Sequence, residues 1–177
     1  CKPSLERIRK ELKPHMNIQS SSALEIGPGF GLFATYCAKE KAFSSYEVVE
    51  PTPSLAAHAR EIGLNTHETN IESFKPNKNY QVVLAFEVLE HIFDPYSTIK
   101  AINNFLDKGG FFIGSFPNGL GFDTQMLGAH CPSVDNEHVN LFSPEGVTHL
   151  FNKNGFEIIS ITTPGKMDVE IISEFIN

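Results

Sequence analysis

The sequence predicts an α/β fold, a doubly wound and mostly parallel sheet with helices on both faces. Three observations predict it. Short apolar runs alternate with longer segments of helical spacing. One run, Tyr80-Gln81-Val82-Val83-Leu84-Ala85-Phe86, is nearly all apolar, as a central strand buried on both faces must be. A glycine-rich turn, Gly27-Pro28-Gly29-Phe30-Gly31, joins the first apolar run to the helical segment after it. Ligands of such folds bind beyond the carboxyl ends of the strands. The loops after the first, second, fourth and fifth strands therefore carry the functional expectations.

The elements follow in order. Leu5, Ile8 and Leu12 recur at helical spacing between charges, predicting an amphipathic helix over residues 3–13. After a polar loop, Ala23-Leu24-Glu25-Ile26 is the first strand and residues 32–41 the next helix. Tyr46-Glu47-Val48-Val49 is the second strand, stopped by Glu50-Pro51-Thr52-Pro53, with a helix over 54–62 and a short third strand over 65–69. The fourth strand is the apolar run 80–86. A helix over 94–106 follows, with Lys108-Gly109-Gly110 as its stop. Residues 111–116 are the fifth strand. Residues 117–140 are rich in polar and turn-forming residues and predict a long irregular segment, functional or mobile. Ser143-Pro144-Glu145 starts a helix, with Ser as cap and Pro at the first helical position. Residues 156–161 alternate and predict a sixth strand. The tail from residue 167 fits a helix slightly better than a strand.

The chain has 177 residues, enough for one domain with a sizeable core, and no second domain or repeat is visible. The expected organisation is an N-terminal helix and linker (1–21), a binding core (22–116), a lid-like segment (117–142) and a C-terminal helix, strand and tail (143–177). The chain opens on Cys1 and closes on Glu174-Phe175-Ile176-Asn177. Neither end reads as a natural terminus, and the protein is expected to continue past Asn177. Lys and Arg total 14 against 21 Asp and Glu, a net charge of −7. That disfavours nucleic acid and anionic lipid as partners. Three widely spaced cysteines form no disulfide framework or zinc ribbon and favour a reducing, cytoplasmic setting. No apolar run reaches the ~18 residues of a membrane span.

Gly27-x-Gly29-x-Gly31 meets the physical need of a ligand that must touch backbone amides at a helix N-terminus. Its spacing departs from the dinucleotide fingerprint, where a third glycine comes three residues after the second. Glu25, two residues before the first glycine, would repel a pyrophosphate and suit a cationic ligand. Glu50 closes the second strand, where a carboxylate can accept both hydroxyls of a ribose.

These residues carry a resemblance. The run from Ala23 to Gly31 resembles the first motif of class I S-adenosylmethionine-dependent methyltransferases. Glu50 matches the acidic residue ending their second strand. The run from Tyr80 to Ile92, including Glu87-Val88-Leu89-Glu90-His91, closely matches their fourth-strand motif, and Phe105-Leu106-Asp107-Lys108-Gly109-Gly110-Phe111-Phe112 resembles the entry to their fifth strand. The resemblance covers residue 22 to about residue 163. It is nearest to the small-molecule branch, which includes ubiquinone-type O-methyltransferases and methyltransferases of surface-sugar pathways. It implies a Rossmann-like sheet of seven strands, the last antiparallel, with S-adenosylmethionine as cofactor. It implies further that Gly27 and Gly29 pass under the methionine part, with Gly31 closing the loop. Glu25 would lie near the amino and sulfonium end. Glu50 would hold the ribose, with Pro51 beside the adenine and Asn70 and Ile71 at its edge. The family more often has Asp where this chain has Asn70. Phe86 and Glu87 would offer backbone contacts to the methionine amine. Taken singly, each residue also has a structural reading: a plain turn, a solvated strand end, a cap, a core aromatic.

Transfer of a methyl to oxygen or nitrogen requires removal of a proton, and histidine suits that near neutral pH. Of seven histidines, His91 follows the fourth strand and His138 lies in the lid-like segment, so these two are the catalytic candidates. Each could equally be a structural or surface residue, and a carbon acceptor would need no base. His130, Cys131, Asp135, Glu137 and His138 match no metal-ligand spacing, and no metal is expected. The chain lacks the Asp/Asn-Pro-Pro-aromatic signature of nucleic-acid amino-methylating enzymes. A hydroxyl on a small, amphipathic acceptor is the expected target. The alternatives are a nicotinamide oxidoreductase and a non-catalytic binding domain of methyltransferase type.

Overall fold

The computed structural model describes residues 1–164. Contacts divide the chain into two compact units, one of residues 1–86 and 104–114, the other of residues 87–103 with the chain from Ser115 onward.

The first unit is built on the sheet. Strands β1 (Ser22–Ile26), β2 (Ser45–Val49), β3 (Asn65–His67), β4 (Tyr80–Phe86) and β5 (Leu106–Ser115) lie in the order β3-β2-β1-β4-β5. β1 pairs in parallel with β2 and β4, and β2 with β3. The order reverses at β1, and the glycine loop leaves the carboxyl end of that strand. Leu24, Val48, Val49, Val82, Val83 and Leu84 are fully buried on the two faces, which explains the near-continuous apolar runs.

Helix α1 (Lys2–Leu12) buries Leu5, Ile8 and Leu12, the stripe its spacing predicted, in one cluster with Ile18, Ala23, Cys37, Val82 and Leu84. Helix α2 (Leu32–Lys39) adds Cys37 to that cluster. Through Ala34 it joins Val48, Leu64 and Ala59 of helix α3 (Pro53–Glu61). Glu47 ties β2 to its neighbours. Its carboxylate takes bonds from Tyr80 Oη (3.0 Å), His67 Nε2 (2.6 Å) and Lys78 Nζ. Burial works against its charge, but these three donors prevail and hold the carboxyl below its usual range.

The second unit contains most of helix α4 (Pro95–Phe105), a short helix α5 (Phe122–Leu127) and helix α6 (Pro144–Lys153). Ser143 caps α6 as expected, its Oγ accepting the Gly146 N–H at 3.0 Å.

Three expectations change. Lys108-Gly109-Gly110 lies inside β5 rather than ending a helix, and α4 stops at Phe105. A Cβ on Gly110 would stand 3.1 Å from the Gln81 carbonyl oxygen, and one on Gly114 3.0 Å from that of Ala85. These glycines let two backbones approach, and the matched spacing shows β5 running parallel to β4. The segment 117–140 is not wholly irregular. Leu127 packs with Cys131 and Val134, and that small cluster supports α5 and the turn Gly128–His130. Residues 156–161 do not form the sixth strand. The Phe156 ring packs on Phe151 at 5.3 Å, while Ile159 and Ile161 are exposed. Alternation makes a strand only where a neighbour completes the hydrogen-bond ladder, and none does so among the described residues. The tail from residue 167 lies outside the described residues.

Candidate active site

The glycine loop turns sharply because three of its residues hold a backbone that side chains resist. Gly27, Gly29 and Gly31 have φ of 63°, 55° and 68°. The two outer glycines are fixed by bonds, Gly27 N–H to the Val49 carbonyl at 2.9 Å and Gly31 N–H to that of Pro28 at 2.9 Å. Gly31 is the N-cap of α2 and offers no side-chain bond, so the first amides of that helix have no side-chain cap. A Cβ on Gly29 would meet nothing within 4 Å, whereas one on Gly31 would stand 2.9 Å from Ile62 Cδ1. The middle glycine keeps space clear and the last permits close packing.

Glu50 follows β2, with only 3% of its surface exposed. Its backbone N–H bonds to the His67 carbonyl at 3.0 Å, and its Oε1 accepts the Thr52 N–H at 2.9 Å. A buried carboxylate whose second oxygen meets no donor among the described residues, beside a helix start without a side-chain cap and an open glycine turn, fits an adenosyl ligand with hydroxyls to donate and a charged amino-acid end. Pro51 and Asn70 are exposed and Ile71 is buried.

Glu25 is buried in β1 and bonds to the Tyr46 hydroxyl at 2.8 Å. Burial pushes its carboxyl up to about 7, although the Tyr46 bond opposes the shift. The residue expected to meet the cofactor's cationic end is therefore engaged with a phenol that sequence reasoning did not pair with it. Phe86 packs edge-on against Phe33, ring centres 5.0 Å apart.

In the second unit, Glu87 has φ 52°, a strained value for a side-chain-bearing residue. It is held by Ser115, whose Oγ donates to Glu87 Oε1 at 2.6 Å and whose carbonyl accepts the Glu87 N–H at 2.9 Å. The turn Leu89–His91 then brings Glu90 and His91 to the segment around His138. The Asn140 N–H bonds to the Glu90 carbonyl at 3.0 Å, and the Asn140 amide donates to the Ile92 carbonyl. The His91 and His138 rings lie 4.8 Å apart at 39°. His91 Nδ1 donates to the Glu137 carbonyl at 3.0 Å, and His138 Nδ1 lies 3.2 Å from both the Ser133 carbonyl and Asp135 Oδ2. Carbonyl oxygens only accept, so Nδ1 carries the hydrogen in each neutral ring and Nε2 keeps the lone pair. Asp135 also accepts the N–H groups of Glu137 and His138, which holds its carboxyl below the usual range.

The structure thus brings together the two histidines proposed from sequence, 47 positions apart by number. It adds Glu90, which sequence reasoning passed over as a cap. Glu90 is 0% exposed, and among the described residues no other residue donates a hydrogen bond to either carboxylate oxygen. Burial above all pushes its carboxyl above the usual range. Its own backbone N–H opposes the shift, Glu87 reinforces it, and His91 and His138 oppose it. One nitrogen of each ring and one oxygen of Glu90 lie within 4.8 Å of one another. In donor type this group could take up a proton or a cation. The sequence signals were its place in the fourth-strand motif and its adjacency to His91.

A model of the methyltransferase domain family matches residues 2–161. The chain belongs to that family. This methyltransferase is 26% identical over 167 residues to a ubiquinone biosynthesis O-methyltransferase of Rickettsia canadensis, covering 87% of the chain and 70% of the relative. It is 32% identical over 138 residues to the Escherichia coli protein of the same description, covering 73% and 54%. Among solved structures it shares the fold of a Mesorhizobium loti S-adenosylmethionine-dependent methyltransferase, with TM-score 0.72, 15% identity and coverage of 98% and 91%. It also shares that of a Thermotoga maritima S-adenosylmethionine-dependent methyltransferase described as a possible histamine N-methyltransferase, with TM-score 0.68, 22% identity and coverage of 88% and 72%. The methyltransferase is an enzyme whose cofactor is S-adenosylmethionine. Among the described residues no helix is long and apolar enough to cross a membrane.

Proposed function

We propose that this methyltransferase methylates a hydroxyl group of a small molecule. The observation that carries the proposal is the pair of facing histidines. His91 and His138 each tie Nδ1–H to an oxygen, which leaves Nε2 as the basic nitrogen of the neutral ring. A hydroxyl must lose its proton on methylation, and a neutral imidazole can take it at physiological pH. Relatives described as O-methyltransferases support an oxygen acceptor.

The cofactor, when bound, supplies a methyl on a sulfonium, already activated for in-line transfer to the acceptor oxygen. The chain's own residues then bind, orient and move a proton. Gly27, Gly29 and Gly31 would present loop amides to the methionine part, and Glu25 would lie near its amino and sulfonium end, with its carboxyl bonded to the Tyr46 hydroxyl. Glu50 would accept hydrogen bonds from the ribose hydroxyls. Pro51, Asn70 and Ile71 would flank the adenine, and the Phe86 and Glu87 backbones would hold the methionine amine. His91 or His138 would accept the acceptor's proton at Nε2.

No lysine or arginine lies between Lys108 and Lys153, which favours an acceptor without phosphate. The net charge of −7 favours a small molecule over nucleic acid, and three free thiols favour a cytoplasmic setting.

The test is a competition between matched acceptors, aromatic and sugar, that differ only in bearing a hydroxyl or an amine. Product is followed as S-adenosylhomocysteine and by mass. Methylation of the hydroxyl member is expected. Methylation confined to the amine would overturn the oxygen assignment. Tight S-adenosylhomocysteine binding with no turnover on any acceptor would favour a binding domain.

A further inference from the structure

We propose that Glu90 is a positioning residue for proton transfer, its buried carboxylate the counter-charge for the imidazolium that forms on His91 or His138. The inference rests on the base assignment above and deepens it.

Three observations carry it. Glu90 is fully buried, and among the described residues no other residue donates a hydrogen bond to either of its oxygens. Buried carboxylates ordinarily find donors, because an unpaired one forfeits its solvation without return. Here the group is instead placed so that one of its oxygens and a nitrogen from each histidine lie within 4.8 Å of one another. Finally, the arrangement is fastened. Asn140 bonds from its backbone to the Glu90 carbonyl and from its side chain to those of Leu89 and Ile92, and His91 bonds to the Glu137 carbonyl. Those bonds hold the Leu89–Ile92 turn against the segment that carries His138.

The oxygens are sealed from water, so an acceptor molecule does not reach them. A proton does not need to reach them either. The acceptor's O–H bond would break, its electron pair staying on oxygen for the new bond to the methyl carbon, whose bond to sulfur breaks with its pair left on sulfur, and the proton would bond to an imidazole Nε2. The ring becomes a cation beside a carboxylate that had no partner. Glu90 is buried, His138 half-buried and His91 exposed, so charge pairing at this distance favours that state, more at His138 than at His91. Burial without a donor thus raises the basicity of the histidine pair. The other charged or titratable groups around the cluster are Glu87, which acts on Glu90 in the same sense as burial, and Asp135, which faces His138 and His91.

The decisive measurement needs no acceptor. The carboxyl carbon of Glu90 is followed by nuclear magnetic resonance across pH in protein labelled with [13C]glutamate, with Glu90→Gln to assign the signal. The midpoint is expected above the ordinary glutamate range. In the His91→Gln, His138→Gln double variant, which removes the two neighbours able to carry positive charge, it is expected to rise further. An unmoved midpoint in the double variant would overturn the proposal. Stability supplies a second readout. Glu90→Gln and Glu90→Met should melt no lower than the parent at neutral pH, because an unpaired buried charge is removed. A lower melting temperature in both would make Glu90 a plain structural residue and sink the idea. With catechol as the hydroxyl probe, kcat should fall roughly 10- to 100-fold in Glu90→Gln while KM for S-adenosylmethionine stays within about twofold. Glu90→Asp should recover part of kcat. Stoichiometric Zn2+ binding lost in Glu90→Gln, with turnover abolished by a chelator, would make the cluster a cation site and also overturn the proposal. Exclusive methylation of an amine in the matched-acceptor test would overturn the hydroxyl assignment and leave the Glu90 titration to be decided on its own.

Discussion

Glu25 and Glu50 are both 3% exposed carboxylates at the ends of neighbouring strands, yet they differ in what surrounds them. Glu50 meets the Thr52 backbone N–H and keeps an oxygen to spare. In Glu50→Ala the affinity for S-adenosylhomocysteine, read by isothermal titration, should fall by about 1.5–3 kcal/mol with the fold intact, the range of hydrogen bonds to charged groups. Unchanged affinity would remove Glu50 from the binding role. Glu25 meets only the Tyr46 hydroxyl among the described residues, and burial raises its carboxyl to about 7. In the unfolded chain it titrates near 4.5. The folded state therefore binds the extra proton between those values, and stability falls as pH rises through that window. The drop is on the order of 3 kcal/mol, complete above the folded value. Glu25→Gln should flatten chemical denaturation measured from pH 4.5 to 8. An unchanged slope would mean that the carboxyl is not held in its neutral form. The position of both residues is readable in the chain. Their protonation is not, because it depends on partners brought from other strands.

At the scale of elements, the glycine turn makes two separable demands. At Gly29 a side chain faces open space and suffers only the positive φ, whereas at Gly31 it also meets Ile62 and Leu64. Gly29→Ala should cost roughly 1–2 kcal/mol of stability and lose most of the affinity for S-adenosylhomocysteine. Gly31→Ala should lose more stability through the added clash. Denaturation and titration of the two variants side by side check the contrast, and equal stability losses would contradict it. The turn was legible because a strand, three spaced glycines and a helix stand consecutively. The stop expected at Lys108-Gly109-Gly110 misled for the same local reason. Glycine ends a helix and also lets strands approach closely, and only the position of β4 beside β5 distinguishes the two uses. The alternating residues 156–161 show the converse, a strand pattern without a strand beside it.

For the whole molecule, ligand linkage is the most direct reading of the family. S-adenosylhomocysteine at about 100 times its dissociation constant should stabilise the protein by about 2.7 kcal/mol, seen as a rise in melting temperature, while NAD at the same concentration should leave it unchanged. A shift with NAD alone would revive the oxidoreductase reading. The sequence by itself determined the doubly wound class, the order of the first five strands with the helices between them, and the glycine turn, and it named His91 and His138 as candidates. All of these rest on local periodicity, backbone permissiveness or motif, which neighbours along the chain express. Tertiary structure alone decided that Tyr46 meets Glu25, that β5 takes up the two glycines, and that Asn140 joins the Leu89–Ile92 turn. It also decided that Glu90 is buried unpaired beside two histidines. Burial and charge pairing are set by whatever the fold brings into contact, and residues distant in the chain leave no mark on one another's local pattern.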